Sequence, residues 1–268
     1  METLLEGPII PTITPLFNGK IDLESAARLY DNILSSECGG VFPLGTTGED
    51  RHIPIGEKKR LISFVGKSYT GKTAVLVGTS GETLEETVFL TRFAAENGID
   101  TVVLTPLYRS WIDPVEYVSI AVDGTNLNVV VYNNPAKTNG RNLSLRQLSD
   151  LANMPGVIAM KESSSNMEYF GEVSPLASDS FRLFPGTQSK LEQAFAIASV
   201  VHGFIPSVGN TYPELVVDLW RHRRPEDFER LRQATNQYKG LSPVQVEKAL
   251  AYEMGLIKSP EIAKNGRH

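Results

Sequence analysis

The chain of 268 residues contains a single cysteine, Cys38. One thiol forms no internal disulfide and no thiolate metal cluster, so a reducing compartment, the cytoplasm, is the expected location. Histidine is almost as scarce. His52, His202, His222 and His268 are scattered without His-x-x-x-His or facial-triad spacing, and no metal site is expected. Basic residues form no run interleaved with aromatic rings, and the net charge is -5, which leaves no electrostatic footprint for nucleic acid. No apolar stretch reaches the length of a bilayer, and Met1-Glu-Thr-Leu-Leu-Glu6 places acid where an export signal carries positive charge, so no membrane partner is expected. Neither a Gly-x-Gly-x-x-Gly loop nor a Walker-type loop is present. That disfavours a nucleotide, and no cofactor is expected.

What the chain does have is a repeating unit: a short β-rich apolar run, then turn residues, then a stretch with helical spacing. The runs are 8–14, 41–44, 74–78, 101–105, 129–132, 157–161, 182–185 and 201–206. Several are near-continuous Val, Ile and Leu, as strands buried on both faces of a parallel sheet require. Helix starts lie between them. Asp22-Leu-Glu-Ser25 precedes an apolar face of Ala26, Leu29, Ile33 and Leu34, and Thr83-Leu-Glu-Glu86 precedes Val88, Phe89, Phe93 and Ala94. Pro114 suits a first helical turn, and Ser144 suits the cap of a segment running to Met154. Eight strands alternating with helices predict an α/β protein, a (β/α)8 TIM barrel over residues 1–207. Beyond Ser207 the strand signal stops. Segments 213–221, 225–239 and 243–254, each opened by proline, predict a short C-terminal helical appendage over 208–268. Residues 258–268 read as a frayed end.

Barrels of this kind carry reactive groups at the C-terminal ends of strands and in the loops just after them. That rule selects Gly45-Thr-Thr-Gly-Glu49, Thr105-Pro-Leu-Tyr108, Tyr132-Asn-Asn-Pro-Ala-Lys137, Lys161-Glu-Ser-Ser-Ser165, Gly186-Thr187 and Ile205-Pro-Ser207. Lys161 is the sharpest of these, because the strand before it, Gly156-Val-Ile-Ala-Met160, should be enclosed. Desolvation disfavours an ammonium and leaves a neutral amine able to attack a ketone and form a Schiff base. The alternative is a strand-end ion pair with Glu49 or Glu162, and one lysine does not separate the two. Thr46 and Thr47 offer hydroxyls and backbone N–H groups suited to a small carboxylate, although a generic strand-to-helix turn explains them as well. Tyr132 and Tyr108 are able to pass protons, although a tyrosine taken alone is more often a packed ring with its hydroxyl satisfied. Gly186-Thr187 with Pro206-Ser-Val-Gly209 is a weaker candidate for the phosphate pocket of a barrel isomerase.

Taken together, Gly45-Thr-Thr-Gly-Glu49, Thr105-Pro-x-Tyr108, Tyr132-Asn-x-Pro135, Gly156-Val-Ile-Ala-Met-Lys161-Glu and Gly203-Phe-Ile-Pro-Ser207 resemble one family in order and spacing. It is the dihydrodipicolinate synthase/N-acetylneuraminate lyase family of pyruvate-dependent class I aldolases, and the resemblance covers residues 8–210. It implies that Lys161 forms the Schiff base with pyruvate or another 2-oxo acid and that Tyr132 shuttles protons. Thr46 would link Tyr132 to Tyr108, which would reach into a neighbouring subunit. Thr46 and Thr47 would hold the pyruvate carboxylate, and Ile205 and Gly186 would line the pocket. The implied partners are small-molecule substrates and other copies of the chain, in a homotetramer built as a dimer of dimers. The tail is shorter than is common in the family, which makes a dimer the alternative.

In the synthases of this family an arginine binds the carboxylate of aspartate semialdehyde where this chain has Lys137. Lysine keeps the charge but loses the bidentate fork, which departs from the synthase pattern, whereas Thr46-Thr47 favours the synthases. The first expectation is 4-hydroxy-tetrahydrodipicolinate synthesis, with a 2-keto-3-deoxy sugar-acid aldolase or an N-acetylneuraminate lyase-like enzyme as the alternative. The non-enzyme alternative is a catalytically silent relative that binds a 2-oxo acid. Leu107 stands where lysine-inhibited synthases have a second tyrosine, so no feedback by lysine is expected.

Overall fold

A computed structural model describes residues 5–106, 112–236 and 240–263. Eight parallel strands make the barrel: β1 (Gly7–Ile10), β2 (Gly40–Val41), β3 (Ala74–Gly78), β4 (Thr101–Leu104), β5 (Asn128–Asn133), β6 (Val157–Glu162), β7 (Arg182–Pro185) and β8 (Gly203–Phe204). Their order in the sheet is β8-β1-β2-β3-β4-β5-β6-β7. The backbone around β8 also reaches β7, where Ile205 N–H donates to Pro185 O at 3.0 Å and His202 N–H to Leu183 O at 3.1 Å. A helix follows each strand: α1 (Leu23–Leu34), α2 (Ile55–Tyr69), α3 (Leu84–Glu96), α4 (Pro114–Val122), α5 (Leu145–Ala152), α6 (Met167–Val173), α7 (Leu191–Ile197) and α8 (Pro213–His222). Two more, α9 (Pro225–Asn236) and α10 (Pro243–Glu253), complete the C-terminal region. The fold is the expected (β/α)8 barrel with C-terminal helices.

Local chemistry explains these elements. Asp22 accepts from the N–H groups of Glu24 and Ser25 to start α1, and Thr83 accepts from Glu86 N–H to start α3. Ser144 forms a capping box with Gln147 at the head of α5, as Ser242 does with Gln245 on α10. Pro114, Pro213 and Pro243 occupy first turns, where a missing N–H costs nothing. Helix α2 lacks such a signal: its N-cap is Pro54, with no side-chain bond. Run 8–14 yields the four-residue β1, followed by Pro11, which cannot donate to a ladder.

Two compact units are present. One holds Leu76–Ile205, with β4 to β8 and α3 to α7; the other holds Glu6–Val75 and Pro206–His268, with β1, β2, α1, α2 and α8 to α10. The first unit buries Val102, Val130, Ala159 and Phe184. The second buries Ile9, Val41, Ile62, Val216 and Ala251. Each large aliphatic chain so enclosed contributes about 1.5–3 kcal/mol.

In the second unit the expected frayed end is instead pinned as far as the described residues go. Lys258 N–H donates to Ser25 Oγ at 3.1 Å and Lys258 Nζ to Glu24 at 2.6 Å, while Ala263 N–H donates to Glu49 Oε1 at 2.7 Å. The bonds from Lys258 N–H and Ala263 N–H satisfy backbone groups that a loose end would leave to water. Residues 264–268 lie outside the described residues.

Candidate active site

The site in the first unit is set by strand register. Tyr132 on β5 is the direct partner of Lys161 on β6, and Lys161 is in turn the partner of Phe184 on β7. Side chains along a strand alternate between faces, so Tyr132 and Lys161 share one face while Asn133 and Glu162 take the other. Lys161 is only 4% exposed, and its Nζ lies 4.4 Å from the centroid of the Tyr132 ring. The phenol oxygen of Tyr132 accepts from Asn134 Nδ2 at 2.8 Å.

Glu162 is buried on the opposite face. It accepts from Asn133 Nδ2 at 3.1 Å and from Ser164 N–H at 2.7 Å. Burial pushes its pKa up, and the bonds from Ser164 and Asn133 oppose that rise. Asn133 also accepts from Leu143 N–H at 3.0 Å and donates to Asn142 Oδ1 at 2.9 Å, which fixes the backbone just past β5. Tyr169 on α6 donates to Leu143 O at 2.7 Å, and burial with the nearby Glu162 charge holds its phenol protonated well above the usual range.

Gly186 meets the lysine from β7. A Cβ there would lie 2.2 Å from Ser163 Oγ and 2.7 Å from Lys161 Cε, so any side chain at this position would have to displace them. Ser163 Oγ is buried without a hydrogen-bond partner among the described residues. Ile205, just past β8, is buried. Lys137 is half-buried in the turn after β5, where its N–H donates to Asn134 O at 2.9 Å. The structure thus brings Lys161, Tyr132 and Gly186 together.

Thr46 and Thr47 belong to the second unit, in the turn after β2. Thr46 is exposed and Thr47 half-buried. Leu44 and Glu49 flank the turn with φ of 57° and 58°, and Gly48 O accepts from Thr14 Oγ1 at 2.7 Å. Glu49 is not a partner for Lys161: its carboxylate pairs with Lys248 on α10. Glu162, the other partner considered, is committed to Asn133 and Ser164. Tyr108 and Leu107 lie outside the described residues. No group of three or more metal-ligating side chains occurs among the described residues, and no described helix is long and apolar enough to cross a membrane. Asn133, Asn134 and Ser163 stood inside the sequence motifs without an assigned role. The polar run beyond Tyr132 was the available signal.

A (β/α)8 barrel carrying a buried lysine at one strand end, with a tyrosine on the adjoining strand, has the architecture of a class I aldolase or lyase. The sequence model of the dihydrodipicolinate synthetase family matches residues 5–259, and the chain belongs to that family and is an enzyme, a lyase. It is 28% identical over 234 residues to a 4-hydroxy-tetrahydrodipicolinate synthase of Aquifex aeolicus, covering 86% of this chain and 79% of the relative. Among solved structures it resembles dihydrodipicolinate synthase from Bacteroides thetaiotaomicron, with a TM-score of 0.86 and 26% identity over 98% of this chain and 93% of that one. It is also similar to YagE, a prophage protein of the dihydrodipicolinic acid synthase family from E. coli K12 solved in complex with pyruvate. There the TM-score is 0.87 and the identity 25%, over 97% of this chain and 92% of the other.

Proposed function

We propose that the protein joins pyruvate to an aldehyde, or cleaves the reverse aldol, through a Schiff base on Lys161. The observation that carries this reading is the buried Lys161 Nζ, 4.4 Å from the Tyr132 ring centroid at the ends of adjoining strands. Burial favours the neutral amine of a lysine, which is the nucleophile. The amine attacks C2 of pyruvate, water leaves, and the protonated imine becomes an electron sink. A proton then leaves C3, and the enamine so formed attacks the aldehyde carbon while the aldehyde oxygen takes a proton. Hydrolysis of the product imine restores the amine. Tyr132 moves the protons, with Thr46 linking it to Tyr108. Thr46 and Thr47 hold the carboxylate, and Gly186 and Ile205 shape the pocket around the adduct.

The first choice of aldehyde is aspartate semialdehyde, giving 4-hydroxy-tetrahydrodipicolinate, in line with the activity named for the Aquifex relative. A 2-keto-3-deoxy sugar-acid aldolase is the second reading, and Lys137 favours it: an ammonium keeps the charge but loses the bidentate fork that a second carboxylate engages. We place the enzyme in the cytoplasm as a homotetramer, a dimer of dimers.

Incubation with pyruvate and borohydride followed by peptide mapping tests the chemistry. A gain of about 72 Da on Lys161 is expected for a reduced pyruvyl imine, and a folded protein without it refutes the mechanism. Saturation by aspartate semialdehyde rather than glyceraldehyde then separates the two substrates.

A further inference from the structure

Within the second unit, the turn carrying Thr46 and Thr47 is tied at its far end to the C-terminal residues. Glu49 closes the turn in a left-handed conformation, with φ of 58°, and directs its carboxylate into the protein. One carboxylate oxygen, Oε1, accepts from Ala263 N–H at 2.7 Å; the other pairs with Lys248 Nζ. The Lys248 side chain is fully buried, and its ammonium also donates to Glu261 O at 2.6 Å. Glu261 in turn accepts from Gly19 N–H at 3.1 Å, and Lys258 N–H donates to Ser25 Oγ at 3.1 Å. Residues 258–263 therefore form a strap whose bonds run from α1 to the turn, and Lys248 and Glu49 are its buried fastening.

Two features make this more than a packing contact. Glu49 holds a left-handed φ of 58°, a conformation that a non-glycine residue keeps only where its surroundings fix it. A charged pair is also an inefficient way to stabilise a core, because desolvating both ions offsets much of their attraction, and apolar residues of similar volume often do as well. Lys248 is directed at once to a turn residue and to a strap carbonyl, so one side chain joins the two segments.

We propose that Glu49 and Lys248 are positioning residues, which lock the 45–49 turn to α10 and to the 258–263 strap and thereby set the affinity for the 2-oxo acid carboxylate. The proposal rests on the reading above that Thr46 and Thr47 hold that carboxylate. The Lys248→Met variant of the full chain keeps the volume and removes the charge. Its half-saturation for pyruvate, read by borohydride trapping on Lys161, should rise by about 10- to 100-fold, while trapping at saturating pyruvate stays within about 3-fold of the unaltered protein. The Lys248→Arg variant, which restores the charge, should recover part of the affinity. Should Lys248→Met fail to fold, Glu49→Gln serves instead, since its amide oxygen still accepts from Ala263 N–H. An unchanged half-saturation in a folded variant overturns the proposal, as does an equal loss at limiting and at saturating pyruvate. If the unaltered protein forms no adduct at all, the functional reading has failed and amide hydrogen exchange over residues 45–50 decides this one. Faster exchange in Lys248→Met upholds the lock; unchanged exchange refutes it.

Discussion

Lys161 Nζ stands 4.4 Å from the centroid of the Tyr132 ring, and the two residues are cross-strand partners on β5 and β6. Register produces this pairing. A slip of one residue on either strand would turn one of the two side chains to the opposite face and separate amine from phenol. The neighbours Asn133 and Glu162 hold that register from behind, through their mutual bond and the bond from Ser163 N–H to Asn133 O at 3.0 Å.

Replacement of this lysine separates chemistry from folding. Lys161→Ala is expected to abolish both turnover and the borohydride adduct, while its melting temperature changes by less than about 5 °C. Trapping and a thermal melt on the same sample check both halves, and full activity in the variant would exclude Lys161 as the nucleophile.

Tyr132→Phe keeps the ring beside the amine and removes only the hydroxyl that accepts from Asn134. Loss of a positioned proton carrier lowers kcat by a factor on the order of 100 to 10,000. The adduct with pyruvate should still form, more slowly. Single-turnover trapping alongside steady-state rates distinguishes a proton-transfer defect from a binding defect.

Gly186→Ala introduces a methyl 2.7 Å from Lys161 Cε and 2.2 Å from Ser163 Oγ. Both contacts are too short to stand, so Lys161 must shift as well as Ser163, and a displacement of about 1 Å at a reacting group costs on the order of 100-fold in rate. The double change Gly186→Ala with Ser163→Ala relieves the shorter contact only. Its trapping rate should remain well below that of the unaltered protein, and a full recovery would show that the Ser163 contact alone sets the fit.

Glu247 on α10 predicts a pH dependence of stability. It is buried, accepts from Thr211 Oγ1 at 2.9 Å, and burial pushes its pKa from 4.5 up to about 8. The folded state therefore keeps a proton that the unfolded state loses. The stability present below pH 4.5 falls as pH rises and is lost by the time pH passes about 8, a change on the order of 4–5 kcal/mol. Glu247→Gln preserves the bond from Thr211 and cannot ionise. Denaturant melts at pH 5 and pH 8 should show a flatter profile for the variant and a gain in stability at pH 8; parallel profiles would contradict this account.

Much of the site could be read along the chain because its signals are local. The apolar run ending in Lys161, the run ending in Tyr132 and the Gly45-Thr-Thr-Gly-Glu49 turn each declare a strand end within a few residues. Helix starts were equally visible at Asp22, Thr83, Pro114 and Ser144, where one side chain or ring satisfies the first turn. Helix α2 carried no such mark, because Pro54 offers no capping oxygen. Glu49 was a different case. Its acidity suggested a partner for Lys161, but the residues that engage it are Lys248 and, 214 positions along the chain, Ala263.

The sequence by itself determined the alternation of strands and helices, the family and the lysine and tyrosine on which the chemistry is proposed to rest, since periodicity and short motifs act over a few residues. Only the tertiary structure decided that Glu162 lies behind the strand, that a Cβ at Gly186 would meet Lys161 and Ser163, and that the C-terminal strap is fastened to Glu49 by Lys248. Those relationships join segments far apart in the chain, and burial, which selects them, is a property of the packed molecule.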